Sequence, residues 1–276
     1  MSSHDEPQSL SIAASWLRSA REVVVFTGAG VSAESGIPTF RDDEGFWQHF
    51  PVEEFATWRG LVRTAIRRPQ RLAEFIHAVL QPIAVAKANA AHRAIAEMEM
   101  HVGVTVVTQN IDNLHQEAGT TIVHEVHGSL FEIITRRGRF VGLLSRPELL
   151  HIAEALDRAR RGWLILPRLL LAIRPLAGLG LLGLHLPRIV LFGDAMAEPA
   201  WSRALEVARR CDCMIQVGTS GMVMPAAMVP MEAKAAGAKV ITIDPNENGG
   251  DVWLQGTAAT MLPRLVELAF NNRDKM

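Results

Sequence analysis

The sequence predicts an α/β fold: an open parallel sheet with helices on both faces, plus a small, mainly helical insert. Three observations carry that expectation. Short β-branched runs alternate with stretches of helical periodicity along most of the chain. The first such run, Val23-Val24-Val25-Phe26, breaks into a glycine turn at Gly28-Ala29-Gly30. The alternation then fails between Arg136 and Leu186, where helical and apolar stretches replace it. The 276 residues are enough for one large domain carrying such an insert. The expected division is a tail at 1–8, a sheet domain at 9–135 and 187–276, and the insert at 136–186.

Leu10 to Ala20 places Ile12, Ala13, Trp16, Leu17 and Ala20 at helical spacing, a helix to pack beside the first strand. After that strand, Gly28-x-Gly30-x-x-Ala33 fits the Gly/Ala form of the dinucleotide fingerprint found in Rossmann-like domains. Gly28 allows the tight turn, Gly30 lets backbone approach a pyrophosphate, and Ala33 lets a helix start close to the strand. A merely tight turn would use the same glycines. Ser35-Gly36-Ile37-Pro38 then stops the helix within about a turn, and a loop through Thr39, Phe40, Arg41 and Asp42 follows. Phe46 and Trp47 read as core packing. Pro51 to Leu80 reads as helical pieces broken near Pro69.

Asn89 to Met100 is a helix with Asn89 near its start, and Val102 to Val107 the next parallel strand. That strand delivers Gln109, Asn110, Asp112 and Asn113 to its carboxyl end, where open α/β sheets bind ligands. Turn chemistry and helix capping by Asp112 or Asn113 would explain the same residues. Thr121 to Val126 is a short strand ending at His127-Gly128. A histidine there, with a reference pKa of about 6.5, can accept a proton near neutrality. His124 points to the other face of the strand.

In the insert, Arg146-Pro147-Glu148 starts a helix through Arg160, with Leu149, Leu150, Ile152, Ala153 and Leu156 on its apolar side. Residues 163–186 are apolar enough to raise a membrane span. Pro167, Arg168, Arg174, Pro175, Gly178, Gly180 and Gly183 argue against it. A buried helical subdomain and a partner or lipid surface remain as readings. Ile189 to Phe192 returns to strand, Glu198 to Arg210 to helix, and Met214 to Val217 to strand, ending at Gly218-Thr219-Ser220-Gly221. Pro225 to Ala236 is helix, Lys239 to Ile243 strand ending at Asp244-Pro245, and Leu262 to Phe270 closes the fold.

Net charge is −1, which excludes a general nucleic-acid binder. The two cysteines, Cys211 and Cys213, are poorly placed for a local disulfide, and the polar N-terminus has no signal-peptide pattern. Both point to a reducing cytoplasm.

GAGVSAESGIPTFRD from Gly28, TQNIDNLH from Thr108, His127-Gly128 and GTSGMVMPAA from Gly218 resemble the sirtuins, the NAD-dependent protein deacylases. The blocks stand in the family's order and span roughly Arg21 to Val266. The resemblance implies NAD as cosubstrate and an acylated-lysine protein or peptide as partner. It implies NAD contacts from Gly28, Ala29, Gly30, Ser32, Ala33, Gln109, Asn110, Asp112, Gly218, Thr219 and Ser220. Phe40 would cover the nicotinamide and Arg41 steady the loop or the phosphates. Asp244 stands where the family has an asparagine on the adenosine ribose. His127 would be the catalytic base, with Asn110 beside it in the chemistry. The acyl group would pass from lysine to ADP-ribose with nicotinamide release.

Two departures matter. Sirtuins that take acidic acyl groups carry Tyr and Arg at positions matching Ile76 and Val79, so a neutral acyl group is expected here. The family's zinc module uses two cysteine pairs, and 136–186 contains no cysteine and two histidines, His151 and His185. Zinc is therefore not expected, and Leu156, Trp163, Leu166, Leu170, Ile173 and Leu176 are expected to staple the segment instead. An NAD hydrolase or ADP-ribosyltransferase on the same scaffold is the alternative, and a non-enzymatic NAD- or ADP-ribose-binding module a third class.

Overall fold

The computed structural model describes residues 6–39, 46–161, 165–180, 183–246 and 249–271, with the side chain of Trp47 outside the description. In chain order it begins with α1 (Glu6–Ser19), β1 (Glu22–Thr27), α2 (Phe46–His49), α3 (Val52–Phe55), α4 (Trp58–Arg67) and α5 (Pro69–Val85). Next come α6 (Ala90–Met98), β2 (Gly103–Thr108), α7 (Leu114–Glu117), β3 (Val123–Glu125), β4 (Gly128–Thr135) and β5 (Phe140–Leu143). Then follow α8 (Arg146–Arg160), α9 (Ile165–Ile173), β6 (Gly178–Gly180), β7 (Gly183–Ile189) and α10 (Ala200–Arg210). The chain closes with β8 (Cys213–Val217), α11 (Met228–Ala235), β9 (Lys239–Asp244), β10 (Val252–Gln255) and α12 (Ala258–Phe270).

The chain forms two compact units, one of Met1–Ser35, Lys87–Val126 and Met196–Met276, the other of Gly36–Ala86 and His127–Ala195. The first is the sheet unit. Its six strands run in the order β10-β9-β8-β1-β2-β3, every neighbouring pair parallel. A central parallel strand is covered on both faces, which is why Val23 to Phe26 is an unbroken apolar run. Its side chains alternate between two cores. Val23 and Val25 join Leu17, Ile95, Leu262 and Leu265 from α1, α6 and α12. Val24 and Phe26 join Ala204, Ala208, Val229 and Ala233 from α10 and α11. The strand order reverses between β1 and β8, so their carboxyl ends open the crevice where such sheets take ligands.

The second unit holds α2 to α5, α8, α9 and an antiparallel sheet ordered β5-β4-β7-β6. The break expected near Pro69 is present: α4 ends at Arg67, and Pro69 starts α5, as a first-turn proline can. Ser145 caps α8 in a capping box with Glu148, whose Oε2 accepts from the Ser145 N–H at 2.7 Å. Helices α5 and α8 are tied by His77 Nδ1 to the Ala153 carbonyl at 3.0 Å and by Gln70 Nε2 to the Arg160 carbonyl at 3.0 Å. Phe46 is half-buried in an aromatic cluster, with its ring 5.1 Å from Phe50 and 5.8 Å from Phe75.

Several expectations are corrected. Glu6 already begins α1, inside the tail expected at 1–8. The insert is not 136–186 alone. Segments 36–86, 127–135 and 187–195 belong to its unit, because β4 pairs with β5 and β7 and α5 packs along α8. The unit also has an antiparallel sheet where helix was expected. Glycine and leucine alternate at Gly178-Leu179-Gly180 and Gly183-Leu184, a period of two that the apolar content masked. The strand expected at Ile189 to Phe192 ends at Ile189, and β10 was not foreseen. Of the expected staples, Leu156 and Leu176 are buried, whereas Leu166 and Leu170 are 43% and 56% exposed. Trp163 lies outside the described residues. Leu149, Ile152 and Leu169 are the buried partners the sequence reading passed over as staples.

Candidate functional site

The crevice of the sheet unit is built where β1, β2 and β8 end. Gly28 donates its N–H to the Val217 carbonyl at 3.1 Å, and Gly30 to the Gly218 carbonyl at 2.9 Å. A Cβ on Gly28 would lie 2.7 Å from Thr219 Cβ, and one on Gly30 2.6 Å from Gly218 Cα. Gly218 itself has φ +57 and would drive a Cβ into the Val31 amide. Both fingerprint glycines thus let two strand-end loops touch each other. Approach to a pyrophosphate is not needed to explain them. After Gly28 the chain makes two single 3₁₀ turns, Ala29–Val31 and Ala33–Ser35, in place of a longer helix, as Gly36-Ile37-Pro38 suggested.

Side chains from β2's end lock onto this turn. Asn110 Nδ2 donates to the Gly28 carbonyl and to Ser32 Oγ, both at 3.1 Å. Ser32 Oγ donates to Asp112 Oδ2 at 2.7 Å, and both residues are buried. Asp112 Oδ1 accepts the Leu114 N–H at 3.0 Å, so this carboxylate also caps α7. The capping and site readings of Asp112 are both satisfied by one side chain. Asn113 makes no side-chain cap and instead takes the left-handed conformation, φ 61. Gln109 Nε2 donates to Thr219 Oγ1 at 2.9 Å, which joins the β2 loop to the β8 loop. Ala33 is exposed, Ala29 and Ser220 half-buried. Ser220 Oγ accepts the Met222 N–H at 3.4 Å. At the end of β9, burial raises the Asp244 carboxyl above its ordinary range, while its Oδ1 accepts the Asn246 N–H at 2.9 Å.

The sequence reading missed the polar layer beneath. Thr27 and Thr108 close β1 and β2, and Thr27 Oγ1 donates to Thr108 Oγ1 at 2.8 Å. The Asn110 N–H also donates to Thr108 Oγ1, at 3.0 Å. With the Thr27 proton used, His115 Nε2, 3.0 Å from Thr27 Oγ1, is assigned as donor. Asn89, the cap of α6, donates its N–H to His92 Nδ1 at 3.3 Å and its Nδ2 to the Val31 carbonyl at 2.8 Å. His92 Nδ1 also lies 3.0 Å from Asn89 Oδ1, so either tautomer of His92 finds a partner on Asn89, while neutral His115 has its lone pair on Nδ1. His92 Nε2 and His115 Nδ1 have no direct partner among the described residues, and the rings lie 4.8 Å apart. Burial, then Arg93, lowers His92 to about 4. Burial, then His92, lowers His115 to about 3. The available signal was threonine at the last position of two apolar strands.

The structure thus brings together Gly28, Gly30, Ser32, Gln109, Asn110, Asp112, Gly218 and Thr219. His127 stands in the other unit, half-buried in the turn before β4, its carbonyl accepting the Val190 N–H at 2.9 Å. Gly128 is fixed by sterics: with φ +75, a Cβ there would strike the Arg188 carbonyl across the β4–β7 pair. Phe40 and Arg41 lie outside the described residues. On α5, Ile76 and Val79 are half-buried. Among the described residues no three of His, Cys, Asp and Glu gather as metal ligands. His185 Nε2 lies 2.9 Å from the Arg174 carbonyl, and Cys211 and Cys213 are buried in the sheet unit. The donors present do not fit the family's zinc site. No described helix is long and apolar enough to cross a membrane.

A model described as the Sir2 family matches residues 28–225. An "NAD-dependent protein deacylase" of Desulfosudis oleivorans is 42% identical over 265 residues, covering 92% of this chain and 93% of that one. "NAD-dependent protein deacylase 2" of Pyrobaculum aerophilum is 38% identical, covering 91% of this chain and 92% of its own. Among solved structures, one described under "Structural Basis for the Mechanism and Regulation of Sir2 Enzymes" superposes with a TM-score of 0.77 at 34% identity, covering 96% and 99% of the two chains. A Sir2 homolog in complex with NAD gives 0.74 at 29%, covering 93% and 92%. Sir2Af2 bound to a myristoylated histone peptide gives 0.69 at 29%, covering 98% and 100%.

Proposed function

The chain belongs to the Sir2 family, and from that premise we propose how it works. It is an NAD-dependent protein deacylase, and the acyl group it removes from lysine is neutral and apolar. The observation that carries the reading is the Ser32–Asn110–Asp112 cluster at the reversal of strand order, tied to both fingerprint loops. It fits a nucleotide: the amide and carboxylate are held by the protein in one arrangement before any ligand arrives, so little ordering is left for binding.

NAD, when bound, supplies the ribose carbon that receives the acyl oxygen as nicotinamide leaves. The chain's own groups do the rest. Asn110, Asp112 and Ser32 hold the nicotinamide ribose, Gln109 and Thr219 its neighbourhood, and Ser220 and Asp244 the adenosine side. Ala29 and Ala33 offer backbone to the phosphates, while Gly30 and Gly218, whose N–H groups already donate to the Gly218 and Ile243 carbonyls, offer only close approach; Phe40 and Arg41 keep the roles that the family resemblance gives them. His127 takes the proton from a ribose hydroxyl, so that the hydroxyl can capture the acyl group. Ile76 and Val79 offer no donor or cation to a carboxylate, and an unpaired buried charge costs several kcal/mol, roughly. The relative bound to a myristoylated peptide supports an apolar acyl chain in this family.

The same reading has the chain fold without zinc and work in a reducing cytoplasm. Its two thiols suit such a compartment, since burial pushes Cys211 up to about 11 and Cys213 to about 12. Competition between acetyl-, octanoyl- and succinyl-lysine peptides tests the substrate claim. The neutral peptides are expected to be consumed first; a succinyl preference would mean that another cation lines the acyl site.

A further inference from the structure

Helices α8 and α9 enclose a cleft of about 550 Å³. Its apolar lining is Ile152 and Ala159, both buried on α8, with the half-buried Ala172 and the exposed Leu171 at its rim on α9. Arg158, Arg168 and His151 also line it, and no carboxylate does. The cations are not already neutralised. Asp157, the acid beside Arg158 in sequence, is occupied by Arg160 at 2.5 Å and Arg161 at 2.8 Å. Neither Arg158 nor Arg168 has an ion-pair partner among the described residues. Two guanidinium groups sharing one cleft without an acid repel each other and attract an anion.

Their position narrows the anion's shape. Arg158 lies in the last turn of α8 and Arg168 in the first turn of α9, so both stand where one helix hands over to the next. His151 and Pro175 line the far end. From the level of Arg158 to that of His151 the helix rises about 10 Å. The cleft is therefore cationic at one end and apolar along its length. An acidic amphipathic helix would want charges spaced along both rims and a longer groove. Inorganic phosphate would leave the apolar floor unused.

We propose that the α8–α9 cleft binds a free medium-chain fatty acid, its carboxylate held between Arg158 and Arg168 and its chain lying on Ile152, Ala159 and Leu171. The length suits roughly eight to ten carbons at ordinary C–C bond lengths. Bidentate geometry at guanidinium favours a carboxylate head, and the apolar floor favours the alkyl chain. The proposal is independent of the deacylase reading, since it uses none of the residues placed there.

The test uses the full chain. Titration calorimetry measures binding of decanoate, decanol and inorganic phosphate, and a diazirine-bearing decanoic acid is photocrosslinked and its adducts mapped by mass spectrometry. Decanoate is expected to bind, decanol and phosphate at least about tenfold more weakly, with adducts in Arg146–Arg160 and Ile165–Ile173. The Arg158→Gln/Arg168→Gln double variant should lose about tenfold or more in decanoate affinity while keeping its melting temperature and basal deacylation. Leu171→Glu, at a 70% exposed position, should do the same by another route. Unchanged affinity in both variants, adducts confined to other segments, or decanol binding as tightly as decanoate would each overturn the proposal. So would binding only to anionic lipid vesicles and not to monomeric decanoate, which would make this face a membrane surface.

Discussion

At the crevice of the sheet unit, Gly30 lies against Gly218 too closely for any other residue, and Asn110 holds the Gly28 carbonyl and Ser32 at once. On α9 of the other unit, Leu169 is buried while Leu166, Leu170 and Leu171 are 43%, 56% and 70% exposed. The first region is specified by directional bonds and contact distances, so one atom's displacement is felt by several partners. The second is held by non-directional burial and carries more apolar surface than its own core uses. The difference teaches where substitutions act. Changes at the crevice should alter chemistry, changes in the buried row of α8 should alter stability, and changes on the outer row of α9 should alter neither.

The largest expected effect is His127→Ala, with a loss of about 10²–10⁴ in turnover and retained NAD binding, as removal of a general base typically gives. Wild-type turnover would remove His127 from the chemistry. Asn110→Ala should weaken both NAD affinity and turnover, which separates holding from proton transfer. Unchanged values for both would leave Asn110 only its bonds to Gly28 and Ser32. Leu156→Ala should come next, since a buried Leu-to-Ala change costs about 2–5 kcal/mol; Leu170→Ala should move stability by no more than about 0.5 kcal/mol. Denaturant unfolding compares the pair, and equal losses would erase the contrast between the buried row of α8 and the outer row of α9.

A smaller effect concerns the buried histidines. His92 and His115 are lowered to about 4 and about 3 in the fold, against a reference near 6.5. Between those values the unfolded chain binds protons that the native chain refuses. Stability should therefore be level above about pH 6.5 and fall as pH drops toward about 4, with a slope of at most about 1.4 kcal/mol per pH unit for each histidine. A His115→Phe variant should show a shallower fall over that window. An unchanged slope would mean that the acid sensitivity arises elsewhere. The smallest expected effect is none at all: a chelator should leave the melting temperature unmoved, and elemental analysis should find far less than one zinc per chain. Loss of folding on chelation would require ligands drawn from histidines and carboxylates far apart in sequence.

The sheet unit was legible because its signals are local. Val23 to Phe26 reads as a strand by its length and β-branching, and Asn89 marks a helix start by its own chemistry. The crevice residues were legible as a set of motifs, but the reason for Gly28 and Gly30 was not, because it lies in Gly218, nearly two hundred residues away. The Thr27–Thr108–His115 layer was hidden for the same reason: its partners meet only through strand pairing. The insert unit was the least legible. Leucine is equally at home in helix and strand, and only its alternation with glycine at Gly178 to Leu184 told the hairpin from a helix.

The central claim is that one chain carries both nucleotide and acyl-lysine chemistry. The most direct measurement is nicotinamide release from NAD by the purified chain, with and without an acetylated or octanoylated peptide. Release is expected only when the acylated peptide is present, one nicotinamide for each lysine freed. Release at the same rate without peptide would contradict it and make the chain an NAD hydrolase or ADP-ribosyltransferase.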